Sequence, residues 1–217
     1  MSKQYAIQPL RQLSQIYLTL IWYYENNLCA GIWSGGKTDM HVQQWILLAI
    51  MAVCGAAVIG SYIHGFSTHP GGAEALWGGV TGGLRILNYV FMLLAVFGFF
   101  AFSYWLFFSI NPDNVQIAGR VGYWLFFIIF LVILIPSALW MPLSFSYLSN
   151  PSTGLWIGIR LVLALVGIGS LALLWAILAI SPRETGIAYW FAVGGAAAFS
   201  VQTAVMDMFI WPALFTV

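Results

Sequence analysis

A carboxylate at position 207 is the first group in this chain that asks for chemistry. Asp207 lies in SVQTAVMDMFIWPALF, residues 200–215, a stretch that otherwise reads as a membrane-spanning helix. Holding Asp at the centre of a bilayer costs about 2.5 to 3.5 kcal/mol on the lower scales, so the residue needs a partner or a task. Arg160, in the preceding apolar run, is the partner this reasoning predicts. At the rise of an α-helix, Arg160 falls about 7 Å and Asp207 about 12 Å below the same membrane face, a difference that an arginine side chain spans. On α-helical spacing Ser200, Thr203, Asp207 and Trp211 follow at three, four and four residues and make one polar stripe.

Other polar and aromatic groups fall toward that same face. They are His64 at the end of the first apolar run, His69 in the loop after it, Arg85 and Asn88 at the start of the second run, and Trp140 with Pro142 late in the third. Pro136 and Pro142 each remove a backbone donor from the third run, and freed carbonyls are tolerated in a membrane where they face protein or a cavity. Together these residues predict a pocket in the outer half of the membrane. Trp140 and Trp211 would supply stacking surface, and Arg160 would meet a ligand carboxylate or phosphate while Asp207 holds its guanidinium. The competing reading makes Arg160 and Asp207 a structural ion pair that fixes helix packing.

Several chemistries have no carrier in the sequence. It holds no HExxH, no GxSxG, no phosphate-binding Walker loop and no pair of carboxylates within one apolar run, so no catalytic residue is assigned. An intramembrane lipid enzyme using His64 or Asp207 would need a second group within hydrogen-bond reach. Cys29 and Cys54 lack metal-site or disulfide spacing, and no metal ligands are assigned. His64 has no second histidine at depth with which to hold a haem.

The elements that must position these groups follow from composition. Hydrophobic residues make up 62% of the 217 and charged residues 6%, against about a quarter charged in soluble domains, so the chain is an integral membrane protein. Its net charge of +1 argues against nucleic acid as a partner, since such binding needs a basic patch. Five apolar runs, about 42–64, 84–110, 118–148, 155–181 and 187–214, each reach the roughly 20 residues needed to cross a bilayer. The stretches between them, STHPGGAEALWGG, NPDN, SNPSTG and SPRETG, carry turn residues. Residues 1–40 differ: Ile7, Leu10, Leu13, Tyr17, Leu20, Tyr24 and Leu28 recur at three and four, which predicts an amphipathic helix lying at the interface or against a partner. With Lys3, Arg11, Lys37, Arg120 and Arg183 on one side and Arg85 and Arg160 on the other, the N terminus is expected in the cytoplasm and the C terminus outside.

The segment ALWMPLSFSYL, residues 138–148, resembles the TspO family of translocator and tryptophan-rich sensory proteins. Trp140, Pro142, Leu143 and Phe145 match its W-x-P-L-x-F pattern late in the third span, and the five spans and tryptophan excess accompany it. The resemblance covers residues 42–215 in architecture and one short motif in sequence. It implies a hydrophobic small-molecule ligand, a porphyrin, sterol or related flat lipid, in a pocket opening toward the first loop, with Trp140 and Phe145 as wall residues.

The expected fold is thus all-α: a polytopic five-helix transmembrane bundle over residues 41–217, preceded by an amphipathic segment over 1–40. The expected function is binding of a hydrophobic ligand, tetrapyrrole, sterol or isoprenoid-like, in an outer-half pocket formed by His64, Asn88, Trp140, Pro142, Phe145, Arg160, Asp207 and Trp211. A bound tetrapyrrole or lipid is the one cofactor this suggests. The alternative is a non-catalytic accessory subunit of a larger membrane complex, docked through the N-terminal segment; the partners expected are the lipid bilayer, the hydrophobic ligand and either a second copy in a homodimer or that larger complex.

Overall fold

The computed structural model describes residues 40–183 and 185–215. The amphipathic segment expected before them therefore lies outside the described residues. Five long apolar helices run antiparallel in sequence order: α1 (Val42–Thr68), α3 (Gly82–Phe108), α4 (Leu125–Ser149), α5 (Thr153–Leu178) and a last span from Ile187 to Leu214. A short helix, α2 (Gly72–Trp77), sits between α1 and α3. The last span is itself composite, with α6 (Ile187–Ser200), a π-helical stretch over Val201–Ile210, and one α-helical turn, α7 (Trp211–Leu214). The chain is a multi-pass membrane protein, as composition required. Side chains such as Val53, Phe97, Phe100 and Phe191 are exposed on its flanks, where only hydrocarbon makes such a belt stable.

Helix order round the bundle follows the packing. α1 lies along α4, α4 along α5, α5 along the last span, and the last span along α3. Glycine permits the closest of these crossings: a Cβ on either Gly98 of α3 or Gly195 of α6 would strike the other's backbone. Close approach of small residues replaces, inside a membrane, the hydrophobic drive that lipid does not supply.

The two ends of the bundle are closed differently. At one end the loops pair as a two-residue antiparallel ladder, β1 (Gln116–Ile117) with β2 (Ile180–Ser181), over a core that contains Phe102, Trp105, Tyr123, Phe126, Phe130 and Tyr189. That ladder corrects the expected start of the third span. Residues 116–124 turn through Ala118 and Gly119, both at positive φ, so the helix begins at Leu125 and not near 118. Gln44 of α1 fastens the same end by donating to the carbonyls of Phe107 and Ile110, at 2.9 and 3.2 Å. At the other end α2 lies over the helices as a cap, and Ser152 caps α5 by accepting from the Leu155 amide.

Candidate functional site

The polar centre of the bundle lies toward the capped end and begins with Asp207. Its bonded partner is Gln202, whose Nε2 donates to Asp207 Oδ1 at 2.8 Å and to Asn88 Oδ1 at 3.1 Å. Residues five apart stand about 140° apart round an α-helix, too far for such a bond. The π-helix brings them together, because its backbone bonds run from residue i+5 to residue i; the Trp211 amide accordingly donates to the Met206 carbonyl. The same change of winding divides the expected polar stripe. Ser200 and Thr203 turn away from Asp207 to Ser170 of α5, with Ser200 Oγ donating to the Ser170 carbonyl at 3.0 Å and the Thr203 and Ser170 hydroxyls 2.6 Å apart.

Aromatic rings stand next to this polar centre. Tyr62 of α1 lies 5.9 Å from Trp140 of α4, and Trp140 lies 5.8 Å edge-on from Trp211. Trp211 continues the row to Phe215 at 4.4 Å and Trp156 at 6.2 Å. Both tryptophans that precede a proline, Trp140 by two residues and Trp211 by one, are in this cluster. Three buried polar atoms near it find no hydrogen-bond partner among the described residues: Trp140 Nε1, Ser144 Oγ one turn further along α4, and Gln202 Oε1. Such atoms are uncommon in folded proteins and each leaves an unmet demand.

The cap is bonded to the cluster it covers. Trp211 Nε1 donates to the Leu76 carbonyl at 2.7 Å, and the Gly79 amide to the Leu214 carbonyl at 2.9 Å. Arg85 holds Glu74 through two bonds of 2.6 and 2.7 Å while lying over the Trp77 ring at 4.8 Å. Those bonds hold the Glu74 carboxyl below its ordinary range.

Beside the cap, α1 and α4 leave a cleft of about 280 Å³ lined by His64, His69, Pro142, Phe145, Ser146 and Ser149, among others. A more open hollow of about 440 Å³ shares His69, Phe145 and Ser149 with it. His69 is stacked on Phe145, the ring centres 4.3 Å apart and nearly parallel. The expected residues therefore fall into two adjoining groups. Asn88, Trp140, Asp207 and Trp211 belong to the interior cluster, and His64, Pro142 and Phe145 to the cleft.

Arg160 belongs to neither. Its side chain is exposed on the outside of α5, and among the described residues the ion pairs are His41 with Asp113 and Arg85 with Glu74. The predicted Arg160 to Asp207 pair is thus corrected: the two were matched in depth, but α5 turns Arg160 outward while presenting Ile159 and Leu163 to Trp211.

No family model, curated protein or solved structure matches the chain. What the cluster can do rests on its own groups. It offers aromatic faces, one carboxylate and unmet hydrogen-bonding atoms, and among the described residues no three His, Cys, Asp or Glu side chains lie close enough to hold a metal ion. Gln202 and Tyr62 are the members that sequence reasoning missed. A polar residue five positions before an intramembrane carboxylate was the available signal for Gln202, and α-helical periodicity hid it.

Proposed function

We propose that this membrane protein binds an amphiphile, a hydrophobic body with one polar end, in the capped half of its bundle. The observation that carries the reading is the set of unpartnered buried atoms, Trp140 Nε1 and Gln202 Oε1, beside the Tyr62, Trp140 and Trp211 rings and a half-buried carboxylate. A hydrophobic site with a few convergent polar groups is the usual form of a small-molecule site. Entry is from the side. α1 packs chiefly on α4 and α3 on the last span, and Asp207 and Tyr62 are only half-buried, so the ligand would pass between α1 and α3 from the bilayer.

The reading keeps the TspO-like expectation of a hydrophobic ligand against Trp140, with Phe145 and His64 in the adjoining cleft. Of the ligand classes which that resemblance implies, a sterol- or isoprenoid-like body suits the site better than a tetrapyrrole, whose carboxylates would approach Asp207 without Arg160 to meet them. On the charge argument from the sequence, the capped half is the outer one.

The test is tryptophan fluorescence of the protein in lipid nanodiscs, titrated with a brominated isoprenoid alcohol. Saturable quenching that Trp140→Phe weakens about tenfold, or about 1.4 kcal/mol, supports the reading. Linear, non-saturating quenching equal in both proteins counts against it.

A further inference from the structure

Resting on that reading, we infer that the polar end of the ligand is a protonated amine, received by Asp207 and Gln202 and flanked by the Tyr62 and Trp140 rings.

The charge balance points there first. Asp207 lies within a span, and its one hydrogen bond among the described residues comes from a neutral amide. An unpaired carboxylate at depth is among the costliest groups a membrane protein can hold, so it either takes up a proton or takes a cationic partner. Among the described residues no Arg or His forms an ion pair with it, since Arg85 is held by Glu74 and Arg160 is exposed on α5. A cation supplied by the ligand fills that place. An anionic head would add a second negative charge to the same space.

The hydrogen-bonding pattern narrows the class. Gln202 is 6% exposed, both of its amide hydrogens are used, and its Oε1 accepts nothing. That oxygen is on the same amide that bonds Asp207, so it stands within a few ångström of the carboxylate. Asp207 Oδ1 takes the Gln202 bond and leaves Oδ2 open. Two acceptors side by side ask for a head that carries N–H donors. The rings add attraction for any cation through their negative faces, which by itself would suit a quaternary ammonium equally well. It is the pair of open acceptors that favours the protonated amine.

The experiment compares three single-chain amphiphiles that share one tail, brominated in mid-chain to act as the quencher, and differ only in the head, a dodecylamine, a dodecyltrimethylammonium and a dodecanol, by saturable tryptophan quenching of the protein in nanodiscs. The inference expects the amine to bind at least about tenfold tighter than the alcohol, about 1.4 kcal/mol, with the trimethylammonium between them. In Asp207→Asn the ratio of amine to alcohol affinity should fall to near one. If that variant does not fold, the wild-type series still decides, because the order amine, trimethylammonium, alcohol is itself the prediction. Equal affinity of amine and alcohol would overturn the inference while leaving an amphiphile site in place. An absence of saturable binding by all three would remove the site and the inference together.

Discussion

Gln202 Nε2 lies 2.8 Å from Asp207 Oδ1, a bond between side chains five residues apart on one helix. It exists because the last span changes from α to π winding at Val201. π-helical turns are rare and gather at functional sites, and here the turn joins a carboxylate to Gln202 and through it to Asn88 instead of leaving it on a stripe with Ser200 and Thr203.

Replacing Gln202 by Leu should lower stability by about 1 to 3 kcal/mol, the cost of leaving buried polar partners unpaired. Thermal unfolding of the purified protein in detergent measures it. A melting temperature equal to that of the parent would mean that the Asn88, Gln202 and Asp207 chain holds nothing together.

The five spans were legible because each is a long, predominantly apolar run flanked by turn residues such as Pro, Gly or Asn. The start of the third was not, since Val121 and Tyr123 are apolar yet lie in the loop before the helix, where Val121 bridges back to Ile117, and only the positive φ at Ala118 and Gly119 gives the turn away. For the site, rise per residue gives depth and says nothing of direction round the axis. That is why Arg160 matched Asp207 on paper and faces away from it in the fold. Trp140 and Trp211 were legible from their neighbouring prolines, whereas Gln202 was concealed by an assumption of 3.6 residues per turn.

Gly98→Val should destabilise the bundle by about 1 to 3 kcal/mol, as overpacking does, because its side chain would meet the Gly195 backbone. Gly55→Ala is the contrast. A Cβ there meets nothing within 4 Å, so the change should be neutral or stabilising by up to about 1 kcal/mol. Equal unfolding temperatures for the two variants would argue against the α3 to α6 crossing.

Trp211→Phe keeps a ring in place and removes the bond to the Leu76 carbonyl. The cap should loosen by about 1 kcal/mol, read as faster amide hydrogen exchange over residues 72–80 with exchange in α5 unchanged. Unaltered exchange in the cap would show that the Gly79 to Leu214 bond and the Arg85 clamp suffice.

The Glu74 to Arg85 clamp carries a pH dependence of defined sign. Its carboxyl is depressed by the Arg85 bonds, so its contribution is present above the unfolded glutamate value, about 4, and is lost as pH falls through the lower folded value. Exchange in α2 should therefore rise on acidification below about pH 4. In Glu74→Gln it should already be raised at neutral pH and change less on acidification. A wild-type cap whose exchange tracks the chemical rate alone would contradict the clamp.

An amphiphile in the interior beside Asp207 would leave a chemical trace. Photo-crosslinking with an alkylamine that carries a diazirine next to its head, followed by peptide mapping of the protein in nanodiscs, tests its presence most directly. Labelling is expected at Tyr62, at Trp140 and over residues 206–211, abolished by excess unlabelled dodecylamine. Labelling confined to lipid-facing residues such as Val53, Ile59 and Phe97, and indifferent to competitor, would contradict it.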